Sequence, residues 1–151
     1  MSLNKKLKKE NKKYIYIRDC GMCYFCGKKL LFKQMSLDHY FPKSKGGPDD
    51  IFNLVCSCRK CNKYKKSFVP DDYKEVMVYL FKKAVKDGKI SKAGVKLKKK
   101  DLASIASTIF KIEDIGKYTV FQSNTHRLYI KDNKIYKVAN ICTFKVKDEG
   151  W

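Results

Sequence analysis

Apolar residues recur at helical spacing in two stretches of the second half of the chain. The first stretch predicts an amphipathic helix of about four turns, whose apolar face consists of Tyr73, Val76, Met77, Leu80, Phe81 and Ala84. The second stretch predicts another helix with Asp101 as its N-cap, and its apolar face consists of Leu102, Ile105, Ala106, Ile109 and Phe110. Both stripes are most simply explained as surfaces that face a hydrophobic core.

A different pattern precedes these helices. Residues 30–41 alternate loosely between apolar and polar side chains and predict a strand. The segment from Pro42 to Pro48 contains Gly46-Gly47 and must form a loop. Residues 53–58 predict a short return strand, and the polar run from Arg59 predicts a helix. The order is therefore strand, loop, strand, helix.

The end of the chain predicts further strands. They cover residues 118–121, 127–131 and 134–139, with Asp132-Asn133 as the turn of a β-hairpin. The pattern as a whole predicts an α+β fold. We divide the chain into a basic N-terminal arm at residues 1–13, a central domain at residues 14–67, and an α+β extension of unknown role at residues 68–151, in which helices precede a β-hairpin.

The charge of the chain narrows the class of partner. Lys and Arg number 35 against 15 Asp and Glu, which gives a formal net charge of +20. Such an excess predicts attraction to a polyanion, with nucleic acid ahead of an anionic membrane. Nearly all of these cations are lysines, which suit phosphate better than base edges, so we expect backbone-dominated binding. A lysine content that only serves solubility is the plainer alternative.

Cysteine spacing is the strongest single indication. Two Cys-x-x-Cys pairs, Cys23/Cys26 and Cys58/Cys61, suit one tetrahedral Zn²⁺. The remaining cysteines are Cys20, Cys56 and Cys142, of which Cys56 is either a small buried side chain or a competing ligand. An odd total of 7 argues against a secreted disulfide framework. No signal peptide or apolar run of membrane-spanning length is visible, so we expect a cytoplasmic protein without a membrane partner.

The segment between the cysteine pairs carries residues suited to phosphodiester hydrolysis. Asp38 is a hard oxygen ligand of the kind Mg²⁺ prefers, and Asn62 offers an amide oxygen. His39 follows Asp38 on a strand, so its side chain points to the opposite face and stands beside a metal without ligating it. A neutral imidazole with a pKa of about 6.5 takes a proton from water at neutral pH.

These elements together resemble the zinc-stabilised members of the HNH endonuclease family. The residues that carry the resemblance are Arg18-Asp19, Asp38-His39-Tyr40-Phe41-Pro42, Gly46-Gly47, Asn53-Leu54, Cys58 to Asn62, and Lys65. The resemblance covers residues 14–67 and implies a ββα-metal core, also called a His-Me finger, with a structural zinc site made of four cysteines. Asn62 stands where many members have histidine, and this HNN variant favours Mg²⁺ or Mn²⁺ as the catalytic ion.

The resemblance also implies residue roles. His39 and Asn53 would form the catalytic set, with His39 as general base and Asn53 as the brace of the loop that orients it. Asp38 and Asn62 would hold the catalytic ion, and Cys23, Cys26, Cys58 and Cys61 would hold the structural zinc. The products of DNA cleavage would be a 5′-phosphate and a 3′-hydroxyl.

The resemblance is less specific about which residues contact DNA and about the biological role of the protein. Lys43, Lys45, Arg59 and Lys63 flank the predicted site as nucleic-acid-binding candidates, with solvated surface as the equal alternative. The implied protein is bacterial or phage-encoded, needs no small-molecule cofactor, and nicks DNA or cuts both strands, with a homodimer left open. Homing, restriction and packaging nucleases all reuse such a module. The competing hypothesis is a non-catalytic, zinc-stabilised nucleic-acid-binding module.

Overall fold

The computed structural model describes residues 5–141, with side chains described from residue 9. Cys142 and residues 1–4 of the predicted arm lie outside this range. Close contacts divide the chain into two compact units, Met1–Tyr73 and Lys74–Trp151. The mixture of helices and two sheets confirms the predicted α+β class. Among the described residues, every helix lacks the length or the apolar content that a membrane span requires.

The first unit is built around a short β-hairpin and a helix. Helix α1 spans Lys5–Arg18, strand β1 spans Ser36–His39, strand β2 spans Leu54–Ser57 and helix α2 spans Arg59–Lys65. The two strands pair antiparallel, and Asp38 lies opposite Val55. Strand β2 is buried at every position, so its apolar residues form the centre of the unit together with Ile15 and Phe52.

Strand β1 is shorter than the sequence predicted. The alternation from Leu30 is not a strand, because Phe32–Gln34 form a 3₁₀ turn before β1 begins at Ser36. The turn is held by a hydrogen bond of 2.9 Å from the Leu31 backbone N–H to the Gln34 Oε1 atom. The predicted loop from Pro42 to Pro48 is confirmed as a connection without strand, with one 3₁₀ turn at Lys43–Lys45.

A buried ion pair joins the end of α1 to β2. Arg18 pairs with Asp19 at 2.8 Å, and the two side chains are only 2% and 5% exposed. The guanidinium also donates to the carbonyl oxygens of Ile51 at 2.9 Å and Leu54 at 2.7 Å. The Asp19 carboxylate accepts a bond of 2.8 Å from the Cys56 backbone N–H. Because every charge has hydrogen-bond partners, this pair fixes the helix to the strand without leaving a buried charge uncompensated.

The second unit packs two helices with a five-stranded sheet. Helix α3 spans Tyr73–Lys86 and α4 spans Lys99–Ser107. The strands are β3 at Ser91–Lys92, β4 at Lys111–Ile115, β5 at Thr119–Gln122, β6 at His126–Lys131 and β7 at Lys134–Asn140. Their order in the sheet is β3-β7-β6-β5-β4, and only β3 runs parallel to its neighbour. Phe81 of α3 stacks on Phe121 of β5 with ring centroids 4.1 Å apart, which anchors the helix in the core.

Several predictions for this unit are corrected in detail. The hairpin turn at Asp132-Asn133 is confirmed, and both residues have positive φ, as a type I′ turn requires. The N-cap of α4 is Lys98, not Asp101, which lies in the first helical turn, where its charge suits the helix dipole. Phe110 is 58% exposed because α4 ends before it. The predicted hairpin belongs to a larger, five-stranded sheet, which also contains the unpredicted strands β3 and β4.

Candidate functional site

The four paired cysteines converge on one point. The Sγ atoms of Cys23, Cys26, Cys58 and Cys61 all lie within 4.8 Å of one another, and those of Cys26 and Cys58 are 3.9 Å apart. Tetrahedral zinc with Zn–S bonds of about 2.3 Å places its sulfur ligands about 3.8 Å apart. The cluster therefore has the donor type, number and spacing of a structural zinc site.

Local backbone geometry brings each pair together. The first pair lies in a tight turn closed by a bond of 2.9 Å from the Gly27 N–H to the Cys23 carbonyl, and Gly27 has a φ of 75° that glycine adopts without strain. In the second pair Cys58 is the N-cap of α2, and its Sγ accepts a bond of 3.4 Å from the Cys61 N–H. Helical spacing then places Cys61 beside Cys58.

The thiol pKa values show why this cluster suits a cation. Burial raises the pKa of Cys23, but hydrogen bonds from backbone N–H groups, first that of Cys26, outweigh it and lower the pKa to about 6. Burial and hydrogen bonds to the other cysteines, Cys58 first, raise the pKa of Cys61 to about 12. A thiolate at Cys23 opposes a second thiolate at Cys61, so a bound cation would be needed to hold both of these sulfurs ionised.

The other described cysteines lie outside this cluster. Cys56 is fully buried on β2, and burial followed by the nearby Asp19 carboxylate raises its thiol pKa to about 11. It is therefore a small neutral core residue, and the alternative that it competes as a ligand is wrong for the described structure. Cys20 is exposed.

Asp38 occupies a buried position on β1. This residue is 8% exposed, and its Oδ1 atom lies 4.0 Å from the Nζ atom of Lys65. Its Oδ2 atom is buried and has no hydrogen-bond partner among the described residues. Burial raises the pKa of this carboxyl, and the Lys65 ammonium partly offsets the effect. A buried carboxylate oxygen without a partner is costly, so this donor fits a site for a hard divalent cation such as Mg²⁺ or Mn²⁺.

His39 is held by an acidic residue that the sequence analysis did not single out. Its Nε2 atom lies 2.8 Å from the Oδ1 atom of Asp49. The Asp49 carboxylate also accepts bonds of 3.0 and 3.1 Å from the Lys43 ammonium. Burial raises the pKa of Asp49, but hydrogen bonds from His39 and Lys43 outweigh it, so the pKa lies below its ordinary value. An ionised Asp49 favours the tautomer in which Nε2 carries the proton and Nδ1 is the free acceptor.

Asn53 closes the long loop between the two strands. Its side chain is fully buried, and its Oδ1 atom accepts a bond of 2.8 Å from the Phe41 N–H. Its Nδ2 atom donates to the carbonyl oxygens of Phe41 and Pro48, both at 3.0 Å. Gly47 completes the tight loop, because a Cβ atom there would lie 1.9 Å from the Phe41 carbonyl oxygen. This closure brings Asp49 back to the end of β1.

Helix α2 presents a buried lysine to the same hairpin. The Nζ atom of Lys65 donates a bond of 2.8 Å to the His39 carbonyl oxygen, so the side chain ties α2 to β1. Burial lowers the pKa of Lys65, and Asp38 partly restores it. Asn62 lies three residues earlier on α2 with a partly exposed side chain, and such residues are neighbours on a helix surface. Asn62 and Lys65 therefore share one face of α2.

The predicted DNA-contacting residues are all solvent-exposed. They are Lys43, Lys45, Arg59 and Lys63. Lys43 also binds Asp49, as described above. Local sequence patterns assigned no role to Asp49 or Lys65, because Asp49 lies in a Pro-Asp-Asp run typical of turns and Lys65 is one of many lysines. The only sequence feature that pointed to Lys65 was its place among the residues that resemble the HNH endonuclease family.

Comparison with known proteins tests the family assignment. Residues 23–76 match the family model described as HNH endonuclease. That segment includes all four clustered cysteines, both strands of the hairpin and helix α2. No curated protein and no solved structure matches the chain. Residues 23–76 are therefore similar to the HNH endonuclease family, as the sequence motifs predicted.

Proposed function

We propose that this protein is a metal-dependent endonuclease that hydrolyses phosphodiester bonds of DNA. The observation that carries the proposal is the pair of neighbouring residues at the end of β1. Asp38 has a buried oxygen without a described partner, and His39 is held at Nε2 by Asp49. A candidate ligand for a divalent ion is thus the sequence neighbour of a histidine whose Nδ1 atom has no hydrogen-bond partner among the described residues.

Each residue of the site has a separate task in this proposal. Asp38 and Asn62 would hold Mg²⁺ or Mn²⁺, which supplies positive charge to the scissile phosphate and the leaving oxygen. His39 takes a proton from the attacking water at Nδ1, while Asp49 orients the ring. Asn53 holds the loop that positions Asp49. The expected products are a 5′-phosphate and a 3′-hydroxyl.

The charge of the protein supports DNA as the substrate. The net charge of +20 favours a polyanion, and exposed Lys45, Arg59 and Lys63 are available to phosphates near the hairpin and α2. Lysines of this kind recognise the backbone more than base sequence, so we expect loose target choice. The four cysteines would hold zinc in a purely structural role.

The test is cleavage of supercoiled plasmid in Mg²⁺ or Mn²⁺ by matched histidine variants. His39→Ala should lower the cleavage rate by roughly 10²- to 10⁴-fold, the usual contribution of a general base. His126→Ala is the control, because His126 is the other of the 2 histidines and lies on β6 in the second unit. It should cleave at the wild-type rate.

Two outcomes would contradict the proposal. Equal cleavage by His39→Ala would show that another group, or a contaminant, acts as the base. Salt-sensitive DNA binding by the wild type without cleavage in either ion would favour the non-catalytic binding module instead.

A further inference from the structure

Two adjacent grooves share Tyr64 of helix α2. The first has a volume of about 720 Å³ and lies against the cysteine cluster, since Cys26, Cys58 and Cys61 line it. The rest of its lining is mainly apolar surface and includes the rings of Phe25, Tyr40, Tyr64 and Phe68. The second has a volume of about 870 Å³ and shares Lys28, Cys58, Lys60 and Tyr64 with the first. All residues that line either groove belong to the first unit. We call them the aromatic groove and the basic groove.

The aromatic groove offers flat rings to a ligand. Phe25 and Tyr40 stack with ring centroids 5.7 Å apart and an angle of 5° between their planes. Tyr64 and Phe68 are 76% and 63% exposed, although large apolar side chains are usually covered. Two exposed rings along one groove, with a stacked pair beside them, match the surfaces on which unpaired bases stack.

The basic groove offers charge on the other side of Tyr64. Its cations are Lys28, Lys33, Arg59, Lys60 and Lys63. Among them, Lys28 and Lys60 also line the aromatic groove. Five cations in one groove are suited to consecutive phosphates, since each neutralised phosphate releases a counterion. A backbone path therefore runs directly beside a stacking surface.

We propose that these two grooves form a binding site for unpaired nucleotides of DNA, with bases in the aromatic groove and phosphates in the basic groove. Bases inside a duplex are stacked on each other and do not reach such a surface. The occupant is therefore a single-stranded segment, and charge complementarity separates it from an apolar peptide or a second copy of this basic chain.

The nucleotide-binding site refines the proposed function by naming a substrate class, and that substrate class rests on the nuclease proposal. Lys65 lines the aromatic groove, and the same ammonium group donates to the His39 carbonyl at 2.8 Å. A strand held in the grooves thus lies next to the hairpin that carries His39. The substrate class this implies is DNA with an unpaired stretch beside the scissile phosphate, such as a flap, a gap or a single strand.

The experiment measures binding rather than cleavage. Zinc-loaded full-length protein, without added Mg²⁺ or Mn²⁺, is titrated into labelled oligothymidine of about ten nucleotides, within the range that single-strand sites cover. The same titration uses an abasic chain with the same number of phosphates and a duplex of the same length. Stacking predicts that oligothymidine binds roughly 5- to 150-fold more tightly than the abasic chain.

Matched aromatic variants locate the contact. Tyr64→Ala and Phe68→Ala should each weaken oligothymidine binding by roughly fivefold or more and leave abasic binding within about twofold. Tyr79→Ala and Phe110→Ala are the controls, because these rings are 61% and 58% exposed and lie in the second unit. None of these four substitutions changes the charge, so a selective loss reports base stacking and not electrostatics.

The result that overturns this proposal is equal affinity for oligothymidine and the abasic chain, or an equal effect of the test and control variants. Duplex binding that exceeds oligothymidine binding would also overturn it, in favour of a duplex surface. The nuclease proposal is judged separately by the loss of cleavage in His39→Ala, so either proposal can fail while the other stands.

Discussion

Replacing Asn53 by alanine should loosen the loop between β1 and β2 and disable the candidate site. The side chain is fully buried and makes three hydrogen bonds, one to the Phe41 N–H and one each to the carbonyl oxygens of Phe41 and Pro48. Alanine removes all three hydrogen bonds, so these backbone groups would bind water or stay unsatisfied. His39 would lose its orientation, because Asp49 lies in the same loop.

The magnitude follows from the number of bonds. At about 1 kcal/mol for each net hydrogen bond, Asn53→Ala should lower the free energy of unfolding of the first unit by about 3 kcal/mol. With a urea dependence of about 1–3 kcal/mol/M, the midpoint should fall by roughly 1–3 M. Asn53→Asp should be no milder, because its second carboxylate oxygen would face two carbonyl oxygens where the amide now donates at 3.0 Å.

Zinc release during urea unfolding, measured with a chromogenic chelator, reports on the unit that holds the cysteines. Plasmid cleavage is measured on the same samples. Asn62→Ala is the contrasting variant: its partly exposed side chain should change the free energy of unfolding by about 0.5 kcal/mol or less while still abolishing cleavage. If Asn53→Ala released zinc at the wild-type urea concentration, the loop would not depend on this side chain, and the reasoning would be refuted.

Two further predictions concern the partner of His39 and the zinc site. Asp49→Asn keeps the shape of the side chain but removes its charge, so kcat for DNA cleavage should fall roughly 10- to 100-fold with KM unchanged; a rise in KM alone would assign Asp49 to DNA binding. Cys61→Ser should abolish stoichiometric zinc binding in metal analysis and reduce helical circular dichroism, because small units closed by a structural zinc unfold when a ligand is lost. Cys20→Ser, an exposed cysteine outside the cluster, should keep both, and equal zinc loss in the two variants would contradict the assigned ligand set.

The central hairpin and α2 were predictable because several independent signals agree there. The cysteine spacing, Gly46-Gly47 and the polar run after Cys58 each specify a local geometry, and the structure has the four sulfurs together and α2 beginning at Arg59. Asp49 was not predictable in the same way. Its contact with His39 spans ten residues and exists because Gly47 and Asn53 close the loop tightly, which is a property of packing and not of local sequence.

Two strands of the second unit could not be predicted from the alternation of apolar and polar residues. Strand β4 contains Glu113 and Asp114, a pair of residues more typical of loops, and Ile112 is its one buried residue. Strand β3 has two exposed residues and exists through pairing with β7, a partner more than forty residues away in the sequence. Neither strand has a hydrophobic pattern of its own. Both strands are stabilised by backbone pairing with a neighbouring strand, which the local sequence does not reveal.

Cys58 belongs to the four-sulfur cluster and is also the N-cap of α2, so both features wait for the same part of the chain during synthesis. A ribosome releases Cys23, Cys26 and the Asp38-His39 strand first, whereas the second pair emerges later, with Cys26 and Cys58 separated by 32 positions. Until that second pair appears, the four-sulfur cluster is incomplete and α2 lacks its N-cap. The first unit can therefore reach its complete form only after translation has passed Cys61, the last of the four clustered cysteines.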